Sequence, residues 1–290
     1  MKKHIKRRTA EALSGYAFLA PWLIGLVFLS LFPFLYSFWI SICSVSFTTN
    51  GIVTKLVGLK WYREAFTEDT TFLISLLDTV KFVAFSTPII IVSSLIIALM
   101  LNSQFRFRGF FRAVFFFPVI ITSGPVISEL VVNRASAIIN PERFPIYTFV
   151  EQLPAVISLP VLYIFDNIVI ILWFSGVQIL IYVSRLQKIG RPIYEAAAID
   201  GASDWQVFWK ILLPFIKPTI FLNAIYTIME LSSFSNNAIN SEISSKMTLT
   251  GKAYSYSAAM SWIYFLAVVV LLLIIAVVLR ARARRGDDEN

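Results

Sequence analysis

Six apolar runs, each long enough to cross a lipid bilayer, constrain this chain more than any other feature. They are Tyr16–Ile40, Leu76–Leu101, Gly109–Val132, Phe165–Gln187, Pro214–Ser235 and Ala258–Leu279. A hydrocarbon core about 30 Å thick needs roughly 20 predominantly apolar residues per helix. Several runs exceed that, so tilting is expected. A closed barrel would show short alternating segments instead. Composition agrees: 58% of residues are hydrophobic and 14% charged, with 26 Phe and 7 Trp. A soluble domain of this length carries about a quarter charged residues. The expected fold is an all-α integral membrane protein of six transmembrane helices.

The net charge of +8 raises the question of nucleic acid, and its distribution answers it. Basic residues cluster at Lys2, Lys3, Lys6, Arg7 and Arg8, then at Arg106, Arg108 and Arg112. They return at Arg185, Lys188, Arg191, Lys210 and Lys217, and at Arg280, Arg282, Arg284 and Arg285. Six spans put these segments on one side, and the positive-inside rule makes that side the cytoplasm. A multi-pass protein of the cell membrane with both termini cytoplasmic is expected, and nucleic acid is not needed. Residues 1–15 read as a basic cytoplasmic tail, 16–279 as one transmembrane domain and 280–290 as a second cytoplasmic tail. Tyr16–Ile40 is too long for the apolar core of a signal peptide and holds Pro21 and Pro33, so it reads as a retained helix. Cys43 is alone and supports no disulfide framework. Asn133–Phe165 holds four prolines, and a seventh span there would separate the two basic termini. A surface-lying or re-entrant external segment fits better.

The connection 188–213 differs from the others. Ile193–Ile199 reads as a short helix stopped at Gly201, and Trp205–Leu213 as a second, amphipathic helix, with Pro214 in the first turn of the next span. Glu195 reads as a charge near the first helix's start, suited to the dipole. Ala196, Ala197 and Ala198 give that helix a low-relief face. The elbow is either a polar connector on the headgroups or a docking surface for a cytoplasmic partner.

Glu195-Ala196-Ala197, Gly201, Ile211, Leu213 and Pro214 match every fixed position of E-A-A-x-x-x-G-x(9)-I-x-L-P, the signature of ABC importer permeases. The stretch EAAAIDGASDWQVFWKILLPFIKP, which includes Asp200, further resembles the sugar-type permeases, among them the larger membrane subunit of the maltose transporter. FLAPWLIGLVFLSLFPFLYSF, VGLKWYREAF, FRGFFRAVFFFPVI and SWIYFLAVVVLLLII are similar to other segments of that family, so the likeness covers most of residues 10–280. It departs at Asn133–Phe165, which is longer than usual, and at Asp78, where the family often has Asn. The resemblance implies a type I ABC importer transmembrane fold, paired with a sister permease subunit, usually as a heterodimer. It implies two ABC ATPase subunits docked on Glu195, Ala196, Ala197, Asp200, Gly201, Ile211, Leu213 and Pro214. An extracytoplasmic solute-binding protein would deliver the sugar. ATP and Mg would be bound by the ATPase subunits, with no cofactor in this chain.

No catalytic constellation is visible. His4 lies in the basic tail, and Gly251-Lys252 lacks the rest of a phosphate-binding loop, so this chain is not read as the ATPase. Asp78 and Lys81 sit near the outer end of the second run, where Lys can snorkel. Glu129 lies near the outer end of the third. In the fifth run Asn223, Tyr226, Glu230, Ser233 and Asn237 are spaced by three and four residues, which puts them on one helical stripe. A carboxylate facing lipid unpaired is costly, and amide, carboxylate and aromatic groups together suit a sugar. Aligning on Lys217-Pro218, the resemblance places Tyr226, Glu230 and Ser233 where the family contacts sugar. Trp173 and Gln178 are candidates for the facing wall. Helix–helix hydrogen bonding is the plainer alternative. Two other functions stay open: an ABC permease for a non-sugar solute such as glycerol phosphate, and an ion-coupled secondary carrier using Glu230.

Overall fold

The computed structural model describes residues 15–48, 51–102, 106–107, 109–111, 113–115, 145–234, 237–248 and 253–287. Four helices in it are long and apolar enough to cross a membrane. They are α1 (Gly15–Ser41), α3 (Thr70–Asn102), α9 (Asp204–Ser232) and the Tyr254–Val278 part of α11 (Ala253–Asp287), with the short α10 (Ala238–Lys246) between the last two. The third expected span lies outside the described residues from position 116 onward, and Glu129, His4 and Gly251-Lys252 lie outside them too.

The fourth expected span is not one helix. Phe165–Gln187 is divided among α5 (Ala155–Asp166), α6 (Ile168–Phe174) and α7 (Gly176–Leu186). The break between α6 and α7 falls at Ser175-Gly176, a pair that commonly kinks helices. The Ser175 hydroxyl donates back to the Ile171 carbonyl, which competes with the backbone ladder. With 12 residues, α5 is by itself shorter than the roughly 20 a span needs. It follows the short α4 (Pro145–Glu151).

Two π-helical stretches have one cause. Leu26–Leu31 in α1 ends just before Pro33, and Phe208–Leu212 in α9 ends just before Pro214. A proline removes an i−4 hydrogen bond and its ring crowds that carbonyl. Widening the preceding turn relieves the clash without ending the helix. Pro214 therefore sits inside a continuous helix, and the separate helix expected at Trp205–Leu213 is the first part of α9.

The all-α expectation also missed a hairpin. Strands β1 (Cys43–Thr48) and β2 (Gly51–Leu56) pair antiparallel with Thr48 opposite Gly51, followed by α2 (Lys60–Thr67).

The chain divides into two compact units, Met1–Ser75 with Glu242–Phe265 and Leu76–Ser241 with Leu266–Asn290. In the first, Phe34 and Phe38 of α1 pack against Trp262 of α11 at ring separations of 4.7 and 5.0 Å. The Trp61 indole donates to the Cys43 carbonyl at 2.8 Å. Asp69 is this unit's polar hub. One carboxylate oxygen accepts from the Thr71 hydroxyl (2.6 Å) and the Phe72 N–H (3.0 Å). The other accepts from the Tyr256 hydroxyl (2.9 Å) and the Lys246 ammonium (3.0 Å). Burial alone would raise this carboxyl, but the four donors outweigh burial and hold it at about 2, below its ordinary 3.8. A depressed carboxyl adds stability that is whole above about pH 4 and lost as pH falls from about 4 to 2. Asp69→Asn is expected to cost about 1–2 kcal/mol at neutral pH after solvent screening. It should also flatten the acid limb of a thermal-unfolding series between pH 2 and 5, and an unchanged acid limb would remove Asp69 as its cause.

Among the described residues of the second unit, buried apolar side chains gather in two clusters. Near residue 100, Ala98 and Leu101 of α3 pack with Ile179, Tyr182, Val183 and Leu186 of α7 and Ile216 of α9. The other cluster joins Val83 and Ile90 of α3, Ile171 and Phe174 of α6, and Ile228 and Leu231 of α9, with Val268 and Leu271 of α11 against it.

Candidate functional site

The elbow begins with α8 (Arg191–Ile199), which has Pro192 in its first turn. It starts two residues earlier than the sequence suggested, so Glu195 lies mid-helix and the dipole argument for it does not hold. Beyond Ile199 the chain turns through Asp200 to Gly201 at φ 71°. The Ala202 N–H reaches the Ala197 carbonyl at 2.9 Å and the Gly201 N–H the Ala198 carbonyl at 3.1 Å. These are the two bonds of a Schellman motif with a left-handed residue at its centre. Two residues later Ser203 opens α9 with a reciprocal capping box: Ser203 Oγ accepts from the Gln206 N–H, and the Ser203 N–H donates to Gln206 Oε1. Both helix ends at the bend are thus satisfied by the bend's own groups, which makes the turn stiff. Glu195, Ala196 and Asp200 are exposed, Ala197 is buried, Ile211 and Leu213 are partly buried, and Pro214 is exposed. A cavity of about 670 Å³ occupies the inside of the bend, bordered by Ala196, Ala197 and Asp200 on one arm and Gln206, Lys210 and Ile211 on the other.

Deeper in the same unit, α7 and α9 share a polar layer. Gln178 is fully buried; its amide donates to Thr227 Oγ1 at 2.9 Å and to Glu230 Oε2 at 3.2 Å. The Asn223 amide donates to the Gln178 carbonyl at 3.4 Å. The Tyr182 hydroxyl neighbours Asn223 but falls short of hydrogen-bond geometry. Gln178 Oε1, Asn223 Oδ1 and Trp173 Nε1 are buried without partners. Each such atom costs on the order of 1–3 kcal/mol, so this layer is costly unless water or a ligand reaches it.

The expected stripe is only partly one surface. Asn223 points into the helix pair, Glu230 is partly buried at its edge, and Tyr226 and Ser233 are exposed. Asn237 is not on the stripe. The helix ends at Ser232, and Asn237 turns back to donate to the Leu231 carbonyl. It instead borders a cavity of about 270 Å³ with Asp78, Thr79, Phe82, Ile170 and Phe234. Trp173 packs against the Ile228–Leu231 cluster. Thr227 and Tyr182 escaped the sequence reading, although Thr227 lies four residues from Asn223, a spacing that could have found it. Among the described residues no three His, Cys, Asp or Glu come together as metal ligands.

The chain is 27% identical over 275 residues to the probable ABC transporter permease protein YesP of Bacillus subtilis, covering 89% of this chain and 87% of that one. It is 30% identical over 225 residues to the lactose transport system permease protein LacF of Rhizobium radiobacter, covering 73% and 70%. Its fold resembles a chain of a bacterial ABC transporter involved in the import of the acidic polysaccharide alginate, with a TM-score of 0.63 at 20% identity over 96% of this chain and 99% of that one. Residues 70–285, which contain the elbow and the polar layer, match the family described as binding-protein-dependent transport system inner membrane component, and the chain belongs to that family.

Proposed function

We propose that this chain is the membrane-spanning permease subunit of an ATP-binding-cassette importer for a sugar or oligosaccharide. The observation that carries the reading is the elbow, where a stiff, doubly capped bend presents exposed Glu195, Ala196 and Asp200 beside the cavity. A low-relief alanine face on a rigid turn suits insertion into a groove of another protein. The two ABC ATPase subunits are the partners it fits, and ATP and Mg belong to them. The relatives named for lactose and arabinooligosaccharide transport support a saccharide handed over by an extracytoplasmic binding protein. The polar layer, with Tyr226 and Glu230 at its edge, is the part of the path this chain contributes, and a sister permease supplies the facing half. Six spans complete the topology, with both termini in the cytoplasm. The third is Gly109–Val132, and the fourth is the kinked α6–α7 segment.

Thiol labelling tests this reading, since the natural Cys43 is buried. Lys3→Cys, Ala196→Cys and Asp287→Cys are expected to label only from the cytoplasmic side and Thr148→Cys only from outside. Bound ATPase subunits should shield position 196 by about tenfold or more. An external label at 287, or no shielding at 196, would contradict the topology or the docking respectively.

A further inference from the structure

Arg185 lies in the last turn of α7, just before the elbow segment. Its Nε and Nη2 both donate to the Phe215 carbonyl, at 3.2 and 3.1 Å. Its guanidinium carbon lies 4.0 Å from the centroid of the Phe215 ring. Phe215 follows the π stretch and Pro214 at the elbow's other end. Pro218, which cannot donate to the Pro214 carbonyl, lies less than one turn further on. One side chain therefore grips backbone and ring together across a separation of 30 residues. Beneath it, Leu186, Ile189 and Ile216 belong to one buried apolar cluster.

The chain from 186 to 215 is thus a loop pinned at its base. α9 runs continuously into the elbow, but its π stretch and Pro214 weaken it there, so with a free base much of a partner's push would go into bending α9 at that point. With the base pinned, the same displacement turns α7 and α9 together. These two helices hold the Gln178–Glu230 layer. Only a planar fork can hold one carbonyl with two donors while stacking on a ring, so lysine is not an equivalent. We propose that Arg185 is a positioning residue for coupling, which transmits ATPase-driven movement of the elbow to the polar layer. This rests on the reading of the elbow as the ATPase dock.

The test needs no substrate. In the assembled complex, Tyr226→Cys, at an exposed position on α9, reports the path side of the helix, and its labelling rate is compared with and without ATP. With Arg185 present the rate is expected to change at least about fivefold. Arg185→Ala and Arg185→Met should shrink the change to within about twofold while basal ATP hydrolysis persists, and Arg185→Lys should fall between. Absence of any ATP response in the Arg185 parent would sink the docking reading itself. A full response in the Ala variant, or wild-type behaviour of Met, would overturn the role of Arg185 alone. So would failure of all three variants to assemble, which would make the residue a folding requirement only.

Discussion

Gly201→Val is expected to leave the chain in the membrane while cutting transport-coupled ATP hydrolysis by about tenfold or more. The cost is conformational. Gly201 sits at φ 71°, and a left-handed conformation costs an ordinary L-residue about 1–2 kcal/mol, more for a β-branched one. A Cβ at this position would meet nothing within 4 Å, so crowding contributes nothing. The chain escapes the strain by leaving the left-handed region, which breaks the bonds from Ala202 to Ala197 and from Gly201 to Ala198. The face carrying Ala196 and Asp200 is then re-aimed relative to Ser203 and α9. A docking loss of about 1.4 kcal/mol is already tenfold. Gly201→Asn should be milder, because Asn tolerates the left-handed region. The measurement is ATP hydrolysis stimulated by loaded binding protein, with assembly checked by size exclusion. Equal losses in both variants would point away from φ as the cause.

The second large effect is expected at Gln178. Gln178→Leu removes the donor shared by Thr227 and Glu230 and leaves a partly buried carboxylate without its partner. Hydrogen bonds between membrane helices average below 1 kcal/mol, but leaving the partly buried Glu230 without its amide donor raises the cost to about 1–3 kcal/mol. Thermal stability of the purified complex should fall accordingly, and uptake by about tenfold. The double variant Gln178→Leu, Glu230→Met should recover most of the stability, because both polar partners are gone. It should not recover uptake if Glu230 lines the path. A double variant that imports as wild type would make the pair a packing device only.

The elbow's stop at Gly201 was legible because Schellman ends depend on a few residues at fixed offsets. The long spans α1, α3, α9 and α11 were legible because bilayer thickness sets their length. What failed depends on competition between neighbours. Ser175-Gly176 interrupts an apolar run that hydropathy reads as continuous, through one hydroxyl bonded to Ile171. The π stretches before Pro33 and Pro214 let proline remain inside helices that sequence rules would divide. The hairpin at 43–56 was overlooked in the stretch between the first two spans, despite the alternation of Ser44, Val45, Ser46 and Phe47. Helical spacing carried Asn237 onto the stripe, because nothing in that periodicity marks an end at Ser232. In the polar layer Asn223, Glu230 and Gln178 were found by type and spacing. Arg185 was counted only as an inner-side charge, since its grip on Phe215 depends on a 30-residue return of the chain.

If ATPase subunits seated on the elbow control solute movement through this chain, uptake must depend on ATP. Reconstitution with the sister permease, the ATPase pair and the loaded binding protein in sealed proteoliposomes tests it most directly, by following uptake of the labelled saccharide carried by that binding protein. Uptake is expected to require ATP and the binding protein, to fall about tenfold or more with Gly201→Val, and to be indifferent to proton or sodium gradients. Uptake that persists without ATP and follows an imposed ion gradient, with loss on Glu230→Gln but not on Gly201→Val, would contradict it and make the chain an ion-coupled carrier.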